Sequence, residues 1–162
     1  MKKLFITLIV LLIAAGGLFY ADSRSEDGLI EDIKYIILPD PMENNSYDEG
    51  ECTYYVFDLV KSDLNMIENS WGDAEYWAER AEADGYTVDQ TPEVGSILQT
   101  QRGEIGHVAY VTNINKDDSI EITEMNFHEP YDITERAIEA EDIINYNFIH
   151  PEENPRPKDI LE

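Results

Sequence analysis

The spacing of apolar residues changes partway along this chain, and that change constrains the fold more than any other feature. From Cys52 the apolar positions are Tyr55, Val56, Leu59 and Val60, at i+3, i+4, i+7 and i+8, which trace one face of a helix. Gly50 just before it permits a tight entry. The run DAEYWAERAEADG, 73–85, repeats the pattern with Ala74, Trp77, Ala78 and Ala81 on one side, Asp73 as N-cap and Gly85 as stop. Beyond Gly85 the period becomes two. VGSILQT, HVAYVTNIN and SIEITEMNF read as strands, YNFIH as a shorter one, and NKDD at 115–118 as a polar turn between the second and third. Helices followed by an antiparallel sheet make an α+β arrangement.

The ends are of a different kind. Met1, Lys2 and Lys3 precede the apolar run LFITLIVLLIAAGGLFY, Leu4 to Tyr20. A short basic start before an apolar core is the pattern of a secretory signal. The run is also close to the lower limit for a spanning helix, so residues 1–21 are expected to be a signal peptide or a membrane anchor. Residues 22–44, with Pro39 and Pro41, read as a linker and 151–162 as an extended polar tail. One domain, 45–150, is left between them, long enough for a real core.

With 11 basic and 35 acidic side chains the formal net charge is −24. That excess argues against nucleic acid and anionic lipid as partners, which leaves the membrane only as an anchoring point for the N-terminal segment. A single cysteine, Cys52, excludes an internal disulfide. In an exported chain it is an inert buried residue, an intermolecular bridge or a reactive thiol. A monomer is expected. Asp48, Glu49, Glu51 and Asp58 surround Cys52 and disfavour a thiolate, so a reactive role needs local compensation.

The predicted hairpin supplies it. If Ile114 pairs with Ser119 across a four-residue loop, His107 faces Asn126 and Glu124 faces Ala109. Residues i and i+2 share a strand face, so His107, Glu124 and Asn126 point the same way as close neighbours. Any even loop preserves this, and an odd one puts Glu124 and Asn126 on the opposite face from His107. A cysteine at a helix start gains from the helix dipole and free backbone N–H groups, a nearby imidazolium adds to that, and an acid or amide beyond the histidine selects its free nitrogen. Cysteine, histidine and an orienting polar group are the logic of a papain-like site. Each residue also has a plainer reading. Cys52 alone would pack as a small hydrophobe, Glu124 would face solvent like most strand acids, and Asn126 would end the strand through local hydrogen bonds.

The stretches GECTYYVFD, WGDAEYWAERAEADGYTVDQTPEVGSILQT, GHVAYV, EITEMNF and YNFIH, in this order and spacing, resemble the CHAP domain (cysteine, histidine-dependent amidohydrolase/peptidase), most closely its staphylococcal secretory antigen type. The resemblance covers about residues 45–150. It implies a papain-like fold, with N-terminal helices packed on an antiparallel sheet, and hydrolysis of a peptidoglycan amide or peptide bond in the cell wall, outside the cytoplasm. It assigns the nucleophile to Cys52, the general base to His107 and orienting roles to Glu124 and Asn126. Trp71, in the family's WG pair with Gly72, is expected to line the substrate groove, and Gly106 to allow a close backbone approach beside the site.

Two positions depart from the family. Many members carry glutamine before the cysteine, placed for an oxyanion hole, where this chain has Glu51. A carboxylate facing a developing oxyanion opposes catalysis. Either the Glu51 side chain turns away and a backbone N–H serves, or it carries a proton, or the enzyme is slow. Glu51 therefore keeps open a non-catalytic, antigen-like wall module as the alternative to an enzyme. Some phage-type members hold calcium with acids flanking the cysteine, but here Tyr54 stands where they place an acid and Asn45 and Tyr47 precede, so no metal and no cofactor are expected. His128 and His150 are expected to be structural or exposed.

Overall fold

The structure, a computed structural model, describes residues 39–156. The expected signal or anchor, the linker up to residue 38 and the tail from 157 onward lie outside the described residues.

Two helices form where the helical period predicts them. Helix α1 runs Cys52–Ser62 and buries Val56, Phe57 and Val60. The second begins with a 3-10 turn, Ala74–Tyr76, after Asp73, and continues as α2, Trp77–Asp84, burying Trp77, Ala78 and Ala81. Gly85 ends it in the left-handed region at φ +97°, a conformation open to glycine at little cost.

The strands are β1 Asn65–Met66, β2 Thr87–Asp89, β3 Ile97–Thr100, β4 His107–Ile114, β5 Ile120–Met125, β6 Ile133–Ile138, β7 Asn147–His150 and β8 Glu152–Glu153, with a 3-10 segment Ala140–Asn145 before β7. Six of them form an antiparallel sheet in the order β2-β7-β3-β4-β5-β6. Alternation along β3, β4 and β7 divides the core. Ile97, Val108, Tyr110 and Ile149 join α1, α2, Trp71 and Trp77 on one face. Leu98, Ala109, Val111 and Phe148 join Ile120, Ile122 and Ile138 on the other, where Ile143 and Tyr146 pack on them.

The hairpin reaches the expected facing by a different route. Tyr110 pairs with Thr123 and Val111 with Ile122, as predicted near the site, but Ile114 pairs with Ile120 rather than Ser119. The register shifts between Val111 and Asn113, where Thr112 is an extra residue on β4. The connection is therefore odd, Asn115 to Ser119, and would by itself turn Glu124 away from His107. The bulge at Thr112 restores the parity. The turn closes with Asp118 N–H donating to the Asn115 carbonyl at 3.1 Å and Asp118 itself in the left-handed region at φ +64°.

The folded unit also reaches past both ends of 45–150. Met42 is fully buried among the α1 residues. Asp40 Oδ1 accepts from Met42 N at 2.8 Å and from Asn154 Nδ2 at 2.9 Å, tying the residues before the domain to those after it. In the expected tail, Glu152 and Glu153 pair with Met66 and Asn65. Prolines rightly mark an absence of helix here, but they do not prevent extended chain from packing.

Candidate active site

Cys52 is the first residue of α1, preceded by Glu51 with extended backbone, φ −96° and ψ 156°. The N–H groups of a first helical turn have no acceptor within the helix and point out of its end. The entry is narrow: Gly50 sits at φ +90°, and a Cβ there would come within 2.7 Å of the Tyr131 ring. Tyr131 N–H donates to the Gly50 carbonyl at 3.0 Å, so the loop after β5 braces the start of the helix.

His107 opens β4 behind Gly106, which adopts φ +75°. A Cβ on Gly106 would collide with the backbone of Glu75 and Ala74, and Glu75 N–H donates to the Ile105 carbonyl at 2.9 Å. This is the close approach expected of that glycine, and it locks the first residue of β4 against the 3-10 turn. The His107 side chain is 14% exposed, and its Nε2 lies 2.8 Å from Glu124 Oε2. With Nε2 committed to Glu124, Nδ1 is the ring nitrogen left for the Cys52 thiol, whose interaction with the imidazole contributes to its raised pKa. Burial alone would lower the His107 pKa. Hydrogen bonds and charge interactions with Cys52 and Glu124 outweigh burial and lift it from 6.5 to about 9.

Glu124 is 0% exposed. Besides His107 it accepts from Arg136, with Nε 2.6 Å from Oε1 and Nη2 3.3 Å from Oε2. Burial favours the neutral carboxyl, but the hydrogen bonds and charges of His107 and Arg136 prevail and hold its pKa below the usual carboxylate value. The structure therefore brings Cys52, His107 and Glu124 together in a row, with His107 hydrogen-bonded to Glu124 and interacting with Cys52.

Asn126 does not join that row directly. It sits at φ +58°, with its backbone N–H on the Asp132 carbonyl at 2.9 Å, and its Nδ2 donates to Glu51 Oε2 at 2.6 Å. Glu51 and Asn126 thus hold each other beside Cys52. A cleft of about 300 Å³ opens next to Cys52, lined in part by Glu51, Gly72, Asp73, Ala74 and Ile105.

Trp71 is not part of its wall, contrary to expectation. It is 1% exposed, packs edge-on to Trp77 and Tyr86, and donates from Nε1 to Asp84 Oδ2 at 2.8 Å. A large ring with one polar atom is best buried where that atom finds an acceptor, and the core offers one. Gly72, its neighbour, lines the cleft instead. His150 pairs with Asp89 and Glu93 away from the site, and His128 is exposed against the Phe127 ring. Among the described residues no group of three or more His, Cys, Asp or Glu side chains is placed to hold a metal ion.

Sequence reasoning missed Arg136 and Phe127. Arg136 lies on β6, a strand absent from the sequence reading. On this strand Ile133, Glu135 and Ala137 are exposed, while Thr134, Arg136 and Ile138 turn inward. The alternation was present in ITERAI, but two of its three inward residues are polar, so it does not read as a buried face. Phe127 is 46% exposed and covers the Arg136 guanidinium at 4.6 Å from its ring centre, with the His107 ring centre at 5.8 Å.

Residues 42–126 match the family model of the CHAP domain. The chain is 49% identical over 107 residues to a probable autolysin, SsaALP, of Staphylococcus aureus, covering 65% of this chain and 40% of that protein. It is 47% identical over 108 residues to staphylococcal secretory antigen SsaA of the same species, covering 66% and 41%. The chain thus spans about two fifths of the length of these curated relatives. Among solved structures, an N-acetylmuramoyl-L-alanine amidase from Staphylococcus aureus superposes with a TM-score of 0.61 at 30% identity, covering 67% of this chain and 34% of that one.

Proposed function

The chain belongs to the CHAP domain family, and on that premise we propose that it is an extracytoplasmic cysteine hydrolase cutting an amide or peptide bond of peptidoglycan. The observation that carries this is the row Cys52–His107–Glu124, in which a thiol at a helix start meets an imidazole held from behind by a buried carboxylate. The likeness to an amidase and to a protein named autolysin supports the same substrate class.

His107 takes the thiol proton, and Glu124 stabilises the resulting imidazolium. A His107 pKa of about 9 keeps that proton available for donation at neutral pH. Cys52 Sγ attacks the carbonyl carbon, and the carbonyl oxygen gains charge near the open N–H groups of the first turn of α1. As the C–N bond breaks, His107 gives its proton to the leaving amine and an acyl thioester stays on Cys52. Water then attacks the thioester, its proton passes to His107, and the Cys52 thiolate leaves. Asn126 acts in this scheme by holding Glu51, whose carboxylate would otherwise be free to face the oxyanion.

The bond cut is the muramoyl–alanine amide or a cross-bridge peptide bond, and the two leave different new ends. Mass spectrometry of muropeptides after digestion by the purified protein tests the proposal. New ends that appear with wild type and not with Cys52→Ala support it and identify the bond, whereas equal digestion by Cys52→Ala removes Cys52 from the mechanism. Because Glu51 carries a negative charge one residue from the nucleophile, a non-catalytic wall module is the second reading. Rapid alkylation of Cys52 at mildly acidic pH, lost in His107→Ala, would exclude it.

A further inference from the structure

We infer that Arg136 is a positioning residue of this site, which fixes the Glu124 carboxylate against His107 and limits the negative charge that His107 experiences. The inference rests on the catalytic reading of Cys52 and His107. Arg136 contacts both carboxylate oxygens, and Oε2 is also the oxygen that meets His107 Nε2. A guanidinium is a rigid fork, so two contacts define the plane of the carboxylate and hence the lone pair offered to the imidazole. Glu124 is fully buried, so water is not at hand to restore that orientation once the fork is gone.

Two observations separate this contact from an ordinary strap between neighbouring strands. In the β5–β6 register Glu124 stands opposite Thr134, and Arg136 opposite Ile122. The nearest cross-strand partner of Glu124 is therefore Thr134, yet among the described residues the buried Thr134 hydroxyl has no hydrogen-bond partner, while the guanidinium reaches diagonally to the carboxylate. Phe127 then spans the row: its face lies over the guanidinium, and its ring meets the His107 ring edge-on. One aromatic side chain so covers the Arg136 end and the His107 end of the same carboxylate.

The groups acting on His107 are Cys52 from α1 and Glu124 from β5. Arg136 from β6 acts through Glu124, Glu51 is engaged by Asn126, and His128 stands beyond the Phe127 ring. A guanidinium beside Glu124 offsets part of the charge that favours imidazolium. Without it His107 would hold its proton more tightly and release it less readily to the leaving amine.

The test is a proton NMR titration of the His107 Cε1–H, beside muropeptide kinetics, in wild type, Arg136→Gln, Arg136→Lys and Cys52→Ala. Wild type is expected to titrate near 9. Arg136→Gln should move that midpoint upward by about one unit and lower kcat more than it raises KM. Arg136→Lys keeps the charge but not the fork, so its midpoint should stay while kcat falls by about ten- to a hundredfold through misplacement. An unmoved midpoint in a folded Gln variant, or full kcat in the Lys variant, would overturn the inference and leave Arg136 as a strap. If the Gln variant does not fold, the kcat of the Lys variant decides alone. Failure of the catalytic reading looks different: the His107 midpoint would then fail to drop in Cys52→Ala, whatever the Arg136 variants do.

Discussion

Glu51 Oε2 accepts a 2.6 Å hydrogen bond from Asn126 Nδ2, which links the residue before Cys52 to the end of β5. The acid is thereby turned toward an amide donor instead of standing unrestrained at the mouth of the cleft.

Replacement of Glu51 by Gln is expected to raise activity modestly. It removes one negative charge beside Cys52 and introduces a donor. A full oxyanion donor is worth about 3 kcal/mol, but the first turn of α1 already offers N–H groups, so the gain should be well below that figure. Steady-state rates on a soluble muropeptide between pH 5 and 8 check this, and a slower Gln variant would give the carboxylate a positive role.

Glu124→Gln should reduce kcat/KM by less than His107→Ala does, because the amide oxygen can still orient the imidazole while losing its charge. It should also lower stability by about 1–2 kcal/mol, since the guanidinium of Arg136 loses its acceptor but is partly exposed and can be rehydrated. Kinetics of both variants and urea unfolding of the first measure the two effects. A larger catalytic loss for Glu124→Gln than for His107→Ala would take the orienting role from Glu124.

Gly106→Ala should destabilise the fold by about 2–4 kcal/mol, combining left-handed backbone strain with a forced separation from the 3-10 turn. Chemical denaturation reads this directly. Stability within about 0.5 kcal/mol of wild type would show that the turn yields freely and that Gly106 does not hold His107 in place.

Stability should also depend on pH through His107. Its folded pKa, about 9, lies above its ordinary 6.5, so the folded state binds more protons between those values. The contribution is complete below 6.5, falls as pH rises and is gone above about 9. Glu124 acts oppositely: its pKa is lowered, so its contribution is present above 4.5 and is lost as pH falls through the folded value. Urea unfolding of wild type and His107→Ala across pH 4 to 10 isolates the first effect. The difference between them should shrink between 6.5 and 9, and a difference that grew over that range would contradict the pairing.

The sequence alone determined what depends on neighbours along the chain. The spacing from Cys52 to Val60 makes a helix that begins at the thiol, and Gly85 ends the second helix because it tolerates the left-handed region. Period-two alternation placed the core strands, and the family motifs pointed to Cys52, His107 and Glu124. Tertiary structure decided what depends on cross-strand register and on burial. His107 and Glu124 share a face because a bulge at Thr112 offsets an odd turn, and bulges leave no clear mark in an apolar pattern. Trp71 went to the core because Asp84 could satisfy its indole there. Strand β6 escaped detection because its inward face carries Arg136, a charge that is tolerable inside only when a buried carboxylate from another strand is waiting for it, and that pairing exists only once the sheet has formed.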